Sequence, residues 1–129
     1  MPKPTPRPTD AELEILHVLW ERGPSTVREI HSILSRSRPT GYTTVLKFLQ
    51  IMMEKKLVDR DATQRTHVYR VRASREQTQK QLLRELTMRA YGGSPAKLVM
   101  QALSSKRASA DELAEIRKLL DTLEEEEHE

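Results

Sequence analysis

At 129 residues the chain has room for one ordinary domain, or for a small domain with an oligomerising appendage, and not for two large cores. It contains no cysteine, which excludes disulfides, thiolate metal sites and cysteine nucleophiles. The net charge of +3 hides a split: residues 1–90 carry +7 and residues 91–129 carry −4, the pattern of a basic nucleic-acid-binding part followed by an acidic part kept away from phosphate.

Leu, Glu, Arg, Lys and Ala dominate and aromatic residues are few, which favours a mainly helical protein. No apolar run approaches the roughly 18 residues of a membrane span, and no apolar stretch follows the N-terminal basic residues as in a signal peptide, so a cytoplasmic location is expected. Residues 1–8 alternate proline with polar or basic residues and read as a flexible N-terminal arm.

Helix starts are legible, because Thr9 with Glu12, Thr26 with Glu29, Ser74 with Gln77 and Ser109 with Glu112 all have capping-box spacing. From Asp10 to Arg22 an apolar stripe of Leu13, Leu16, Leu19 and Trp20 predicts the first helix, which Gly23-Pro24 ends. Val27, Ile30, Ile33 and Leu34 mark a second, which stops at the polar loop Ser35 to Pro39. The third is predicted from Gly41 or Tyr42 to Lys55. Val45, Leu46, Leu49 and Met53 form its apolar side, while Thr43, Lys47 and Gln50 follow an i, i+4, i+7 line elsewhere. That second side is small and uncharged to basic, and such a face fits a DNA groove.

Two short β-prone runs, Leu57 to Arg60 and His67 to Val71, flank the polar stretch Asp61 to Thr66 and predict a hairpin. The loop lacks glycine, so its turn type is open, and Arg65 lies at its tip as the basic residue of a wing. Helix, helix, helix and hairpin in this order make a winged helix-turn-helix over residues 9–73.

A fourth helix is predicted from Arg75 to Ala90 with Leu82, Leu83 and Leu86, broken at Tyr91-Gly92-Gly93. Ser94-Pro95 restarts the chain as N-cap and first helical residue, and Leu98, Val99, Ala102 and Leu103 supply the next stripe. The last helix places Leu113, Ile116, Leu120 and Leu123 at spacings of three and four, a narrow seam for helix-on-helix packing. Three small helices cannot bury all these faces alone, so residues 74–129 are expected to form a helical dimerisation domain, with folding back on the first domain as the alternative. Leu82, Leu86, Leu98, Leu113, Ile116, Leu120 and Leu123 are its expected contacts.

Catalysis finds no support. His17, His31, His67 and His128 are dispersed, with no HExxH pair, phosphate-cradling glycine loop or nucleophile elbow, so no enzyme activity, cofactor or metal is expected. A winged helix also serves as an architectural DNA binder or a protein-interaction module, and these two remain as alternatives to sequence-specific regulation.

The segments Thr9 to Leu16 through Trp20, Thr26-Val27-Arg28-Glu29-Ile30, Tyr42-Thr43-Thr44-Val45 with Leu49, Glu54-Lys55-Lys56-Leu57-Val58, Tyr69-Arg70 and Tyr91-Gly92-Gly93-Ser94-Pro95 occur in the order and spacing of one family. On them the chain resembles, over nearly its whole length, the penicillinase repressors. These are winged-helix regulators of β-lactamase and methicillin-resistance genes, with copper-responsive repressors among their relatives. The resemblance implies a homodimeric repressor on a palindromic double-stranded operator, with C-terminal helices forming the dimer. It places base reading at Thr43, Thr44 and Lys47. Tyr42 and Arg65 are candidates for backbone contacts; capping by Thr43 and core packing by Tyr42 are the alternatives.

In the β-lactam branch a membrane-bound zinc metalloprotease sensor triggers cleavage of the repressor's C-terminal domain, and the matching position here is Gln101-Ala102. That pair departs from the Asn-Phe of the best-known members. The copper branch senses metal through C-terminal cysteine pairs, which this chain does not have. A second departure is Lys56, where the family commonly has glycine. Lysine there must accept a positive φ, at a cost of about 1 kcal/mol, or redirect the helix exit.

Overall fold

The computed structural model describes residues 7–128, and its Cα positions fall into two compact units, one up to Leu82 and one from Leu83. Of the arm expected over residues 1–8, residues 1–6 lie outside the described residues, and Pro8 is buried.

In the first unit, α1 (Asp10–Arg22) starts at a complete capping box: the Thr9 hydroxyl accepts from the Glu12 amide at 3.3 Å, and the Glu12 carboxylate accepts from the Thr9 amide at 2.8 Å. It ends at Gly23, whose N–H donates to the Leu19 carbonyl. A two-residue strand, β1 (Ser25–Thr26), leads into α2 (Val27–Leu34), which Thr26 caps through a second box with Glu29. Helix α3 (Tyr42–Glu54) is followed by the hairpin strands β2 (Val58–Asp61) and β3 (Val68–Val71). The sheet has the order β1-β3-β2 and is antiparallel throughout, with Ser25 opposite Tyr69 and Arg60 opposite Tyr69 on the other side.

The third strand is absent from the sequence reading, which found only the hairpin. Two residues are too short to show β alternation, and their pairing depends on β3, more than forty positions away. Lys56 adopts a φ of +63°, so the lysine takes the left-handed conformation that turns α3 toward β2.

The core joins Ile15, Leu16 and Leu19 of α1, Val27 and Ile30 of α2, Val45, Leu49 and Met52 of α3, and Leu57, Val58 and Tyr69 near the sheet. Burying such side chains contributes about 1.5–3 kcal/mol each. Met52 rather than Met53 is the fully buried methionine, because Val45, Leu49 and Met52 step by four and three along one line, while Leu46 and Met53 pack at its edge. The core also holds one carboxylate: Glu12 accepts from the Lys55 ammonium at 2.7 Å, joining the start of α1 to the end of α3.

Helix α4 (Arg75–Ala90) begins in the first unit, where the Ser74 and Gln77 side chains cap it. Arg75 donates to Glu21 at 2.7 Å and lies over the Trp20 ring, 5.7 Å from its centroid. Gly92 and Gly93, with φ of +58° and +82°, end α4 in a conformation that other residues resist. In the second unit α5 (Pro95–Ser105) starts at the Ser94 cap and α6 (Ala110–Glu127) at the Ser109–Glu112 box. No described residue of this unit is buried: Leu98 and Ile116 are half-buried, and Leu86, Leu113, Leu120 and Leu123 are exposed. Leu82, the last residue of the first unit, is half-buried.

Candidate nucleic-acid interface

The buried line Val45, Leu49 and Met52 fixes the rotation of α3, and that rotation leaves Thr43, Thr44, Lys47 and Gln50 exposed. These side chains therefore share an outward surface free of acidic residues until Glu54. The start of α3 is unlike that of every other described helix. Its N-cap is Gly41, with no side-chain cap, and its first turn contains no acidic residue. In α1, α2, α4, α5 and α6 a Thr or Ser hydroxyl accepts from a first-turn amide. The first amides of α3 thus lack intrahelical and side-chain partners, and the positive end of its dipole has no internal counter-charge. Thr43 does not cap this helix.

Tyr42, the first residue of α3, is 49% exposed. Its ring meets that of His31 edge-on, with centroids 5.8 Å apart, and His31 Nε2 lies 2.6 Å from the Thr40 carbonyl. Tyr42 also borders an open cavity of about 450 Å³ between α2, α3 and the hairpin. The cavity brings Tyr42 together with Arg65 of the wing, and adds Arg28, Thr26, Thr66 and His67, over a floor that includes Val27 and Leu46. The groove thus has a cationic side chain from α2 and another from the wing. Neither Thr43 nor Lys47 lines it.

Arg28 and His67 were missed in the sequence reading. In the sequence Arg28 belongs to a family motif and His67 to a strand; only the fold sets them beside Tyr42. At the other end of the wing loop, the Asp61 carboxylate accepts from the Thr63 amide at 2.9 Å and hydroxyl at 2.7 Å. These bonds hold the Asp61 carboxyl below its usual value and order a loop that has no glycine.

Gln101 and Ala102 are exposed within α5, and the Gln101 amide donates to the Ser105 hydroxyl at 3.2 Å. Among the described residues, no three His, Asp or Glu side chains cluster to hold a metal ion, and no helix is long and apolar enough to cross a membrane.

The family model of the penicillinase repressor matches residues 8–122. This chain belongs to the penicillinase repressor family. The transcriptional regulator BlaI of Mycobacterium tuberculosis, represented by two strains, is 34% identical over 118 residues, spanning 89% of this chain and 83% of the relative. Among solved structures, the DNA-binding domain of the repressor BlaI aligns with a TM-score of 0.51 at 24% identity, covering 57% of this chain and 90% of that domain. That likeness gives the first unit its fold, a winged helix within a mostly helical chain. The family is one of transcriptional repressors, and these relatives are regulators rather than enzymes.

Proposed function

We propose that the protein is a homodimeric, sequence-specific repressor that acts in the cytoplasm on a palindromic operator in double-stranded DNA. The observation that carries this reading is the start of α3: an uncapped helix end free of acidic residues, bearing exposed Thr43, Thr44 and Lys47 on the side opposite the core. Thr43 and Thr44 each offer a hydroxyl to a base edge and a methyl to a thymine methyl, and Lys47 reaches a guanine acceptor or a phosphate. Tyr42, Arg65 and Arg28 take backbone phosphates on the flank and set register.

One protomer reads one half-site, and two half-sites about one helical turn or more apart require two protomers. Exposed Leu86, Leu113, Leu120 and Leu123, with half-buried Leu82, Leu98 and Ile116, supply the apolar surface for that pairing. Bound dimers exclude polymerase. Relief follows when a membrane-bound zinc metalloprotease sensor triggers cleavage near Gln101-Ala102 in a β-lactam or related stress response. Because that peptide bond sits inside α5, the helix must unwind locally before a protease can hold it extended.

DNase footprinting of the full chain on the promoter of its own gene, at two salt concentrations with random competitor, tests the core of this reading. Protection of a discrete inverted repeat at both salts is expected. Diffuse protection that disappears with salt would replace the repressor by a weakly specific binder. Thr44→Ala is expected to reduce discrimination between operator and random DNA by about 1–3 kcal/mol. An unchanged ratio in a competition titration removes Thr44 from the base-reading set.

A further inference from the structure

Helix α3 begins without a cap of its own, yet its first turn is ordered against α2. Beside the core packing of Val45 and Leu46, one side chain of α2 contacts both the residue before the helix and its first residue. His31, in the last turn of α2, reaches the chain just before α3 in two ways: its Nε2 lies 2.6 Å from the Thr40 carbonyl, and its ring meets the edge of Tyr42. At this distance Nε2 must carry the hydrogen, since a carbonyl can only accept. The bond spans the whole turn between the two helices, from residue 31 to residue 40, and the ring contact reaches the first residue of α3.

We infer that His31 is a positioning residue for sequence reading: it fixes the start of α3 from outside the helix, so that no capping side chain occupies the amides facing DNA. An ordinary N-cap hydroxyl would order this turn equally well, but it would accept from the first-turn amides and compete there with phosphate. Holding the preceding carbonyl instead leaves every first-turn donor free. It also sets the place from which Thr43 and Thr44 project, and base-edge hydrogen bonds tolerate little displacement. The opposite end of α3 is tied to α1 by Lys55, which donates to the buried Glu12.

This inference rests on the DNA-reading function proposed above, and its test separates the two. The full-length protein is used to select a preferred duplex from random-sequence DNA. Affinities for that duplex and for a scrambled duplex of equal composition are then measured for wild type, His31→Ala, His31→Gln and His31→Phe. Loss of one positioning hydrogen bond is expected to lower the preference of His31→Ala for the selected duplex about tenfold, with scrambled-duplex affinity within about twofold. His31→Gln, which restores a donor, recovers most of the preference; His31→Phe, which keeps only the ring, does not.

Hydrogen exchange provides the second measurement. In His31→Ala the amides of residues 40–46 exchange faster, while those of α1 are unchanged. A parallel loss on both duplexes, an unaltered preference, or no change in exchange at residues 40–46 overturns the positioning role. A wild type that selects no preferred duplex overturns the reading function instead, and the exchange result still decides whether His31 holds the start of α3.

Discussion

The two units have comparable proportions of apolar sequence and use them to opposite ends. Up to Leu82 the leucines, isoleucines and valines converge on a closed core with Tyr69 and Met52 fully buried; from Leu83 on, no described side chain is buried and a row of leucines and methionines faces outward. The difference lies in what the helices pack against. Helices α1, α2 and α3 enclose one another and are sealed by a three-stranded sheet. The second unit consists of helices alone, each with a narrow stripe, and a narrow stripe is buried by another helix of the same kind. An identical apolar residue is therefore a core residue in one unit and, on the proposed dimer, an association residue in the other.

Core and surface substitutions test that distinction most directly. Leu49→Ala removes a fully buried side chain of α3 and is expected to destabilise the first unit by about 2–5 kcal/mol in urea unfolding. Leu120→Glu should leave that unfolding midpoint unchanged. It should produce monomers in sedimentation velocity and weaken operator binding by about a hundredfold, the advantage that linking two half-site readers provides. An intact dimer would remove α6 from the interface, and a shifted midpoint would show that the leucine supports the monomer fold.

Smaller effects sharpen the picture within the first unit. Burial pushes the Glu12 carboxyl upward, but hydrogen bonds from Lys55 and the Thr9 amide, with the Lys55 charge, outweigh it and hold the group below its ordinary value of 4.5. A depressed carboxylate stabilises the fold above its unfolded value, and the contribution is lost as pH falls through the lower folded value. Urea midpoints should therefore decline below about pH 4.5. Glu12→Gln should flatten that decline, and an acid limb identical to wild type would assign the sensitivity elsewhere. The smallest effect is a gain: Lys56→Gly relieves the positive φ and should stabilise by about 0.5–1 kcal/mol, read as a rise in melting temperature.

Much of this fold is legible in the sequence. The boundaries of α1, α2, α4, α5 and α6 are written in local chemistry, because a cap and its partner lie three residues apart and need no tertiary information. The outward position of Thr43, Lys47 and Gln50 follows from the same local periodicity. What escaped depends on pairing across the chain. Ser25-Thr26 is a strand only because β3 accepts it, Glu12 serves as a capping residue and as the partner of Lys55 43 positions later, and Arg28 and His67 meet Tyr42 only around a cavity the fold creates. The family's habitual glycine identified Lys56 as unusual, but the choice between a strained lysine and a redirected helix needed the backbone angle.

The open start of α3 has a bearing on how such regulators diversify. Thr43 and Thr44 close no cap and fill no core, so exchanging them costs the fold little. Residues that would choose the operator are thereby uncoupled from residues that keep the protein folded. A lineage carrying this architecture can change its target promoters by drift at a few exposed positions, without first acquiring compensating mutations in the interior.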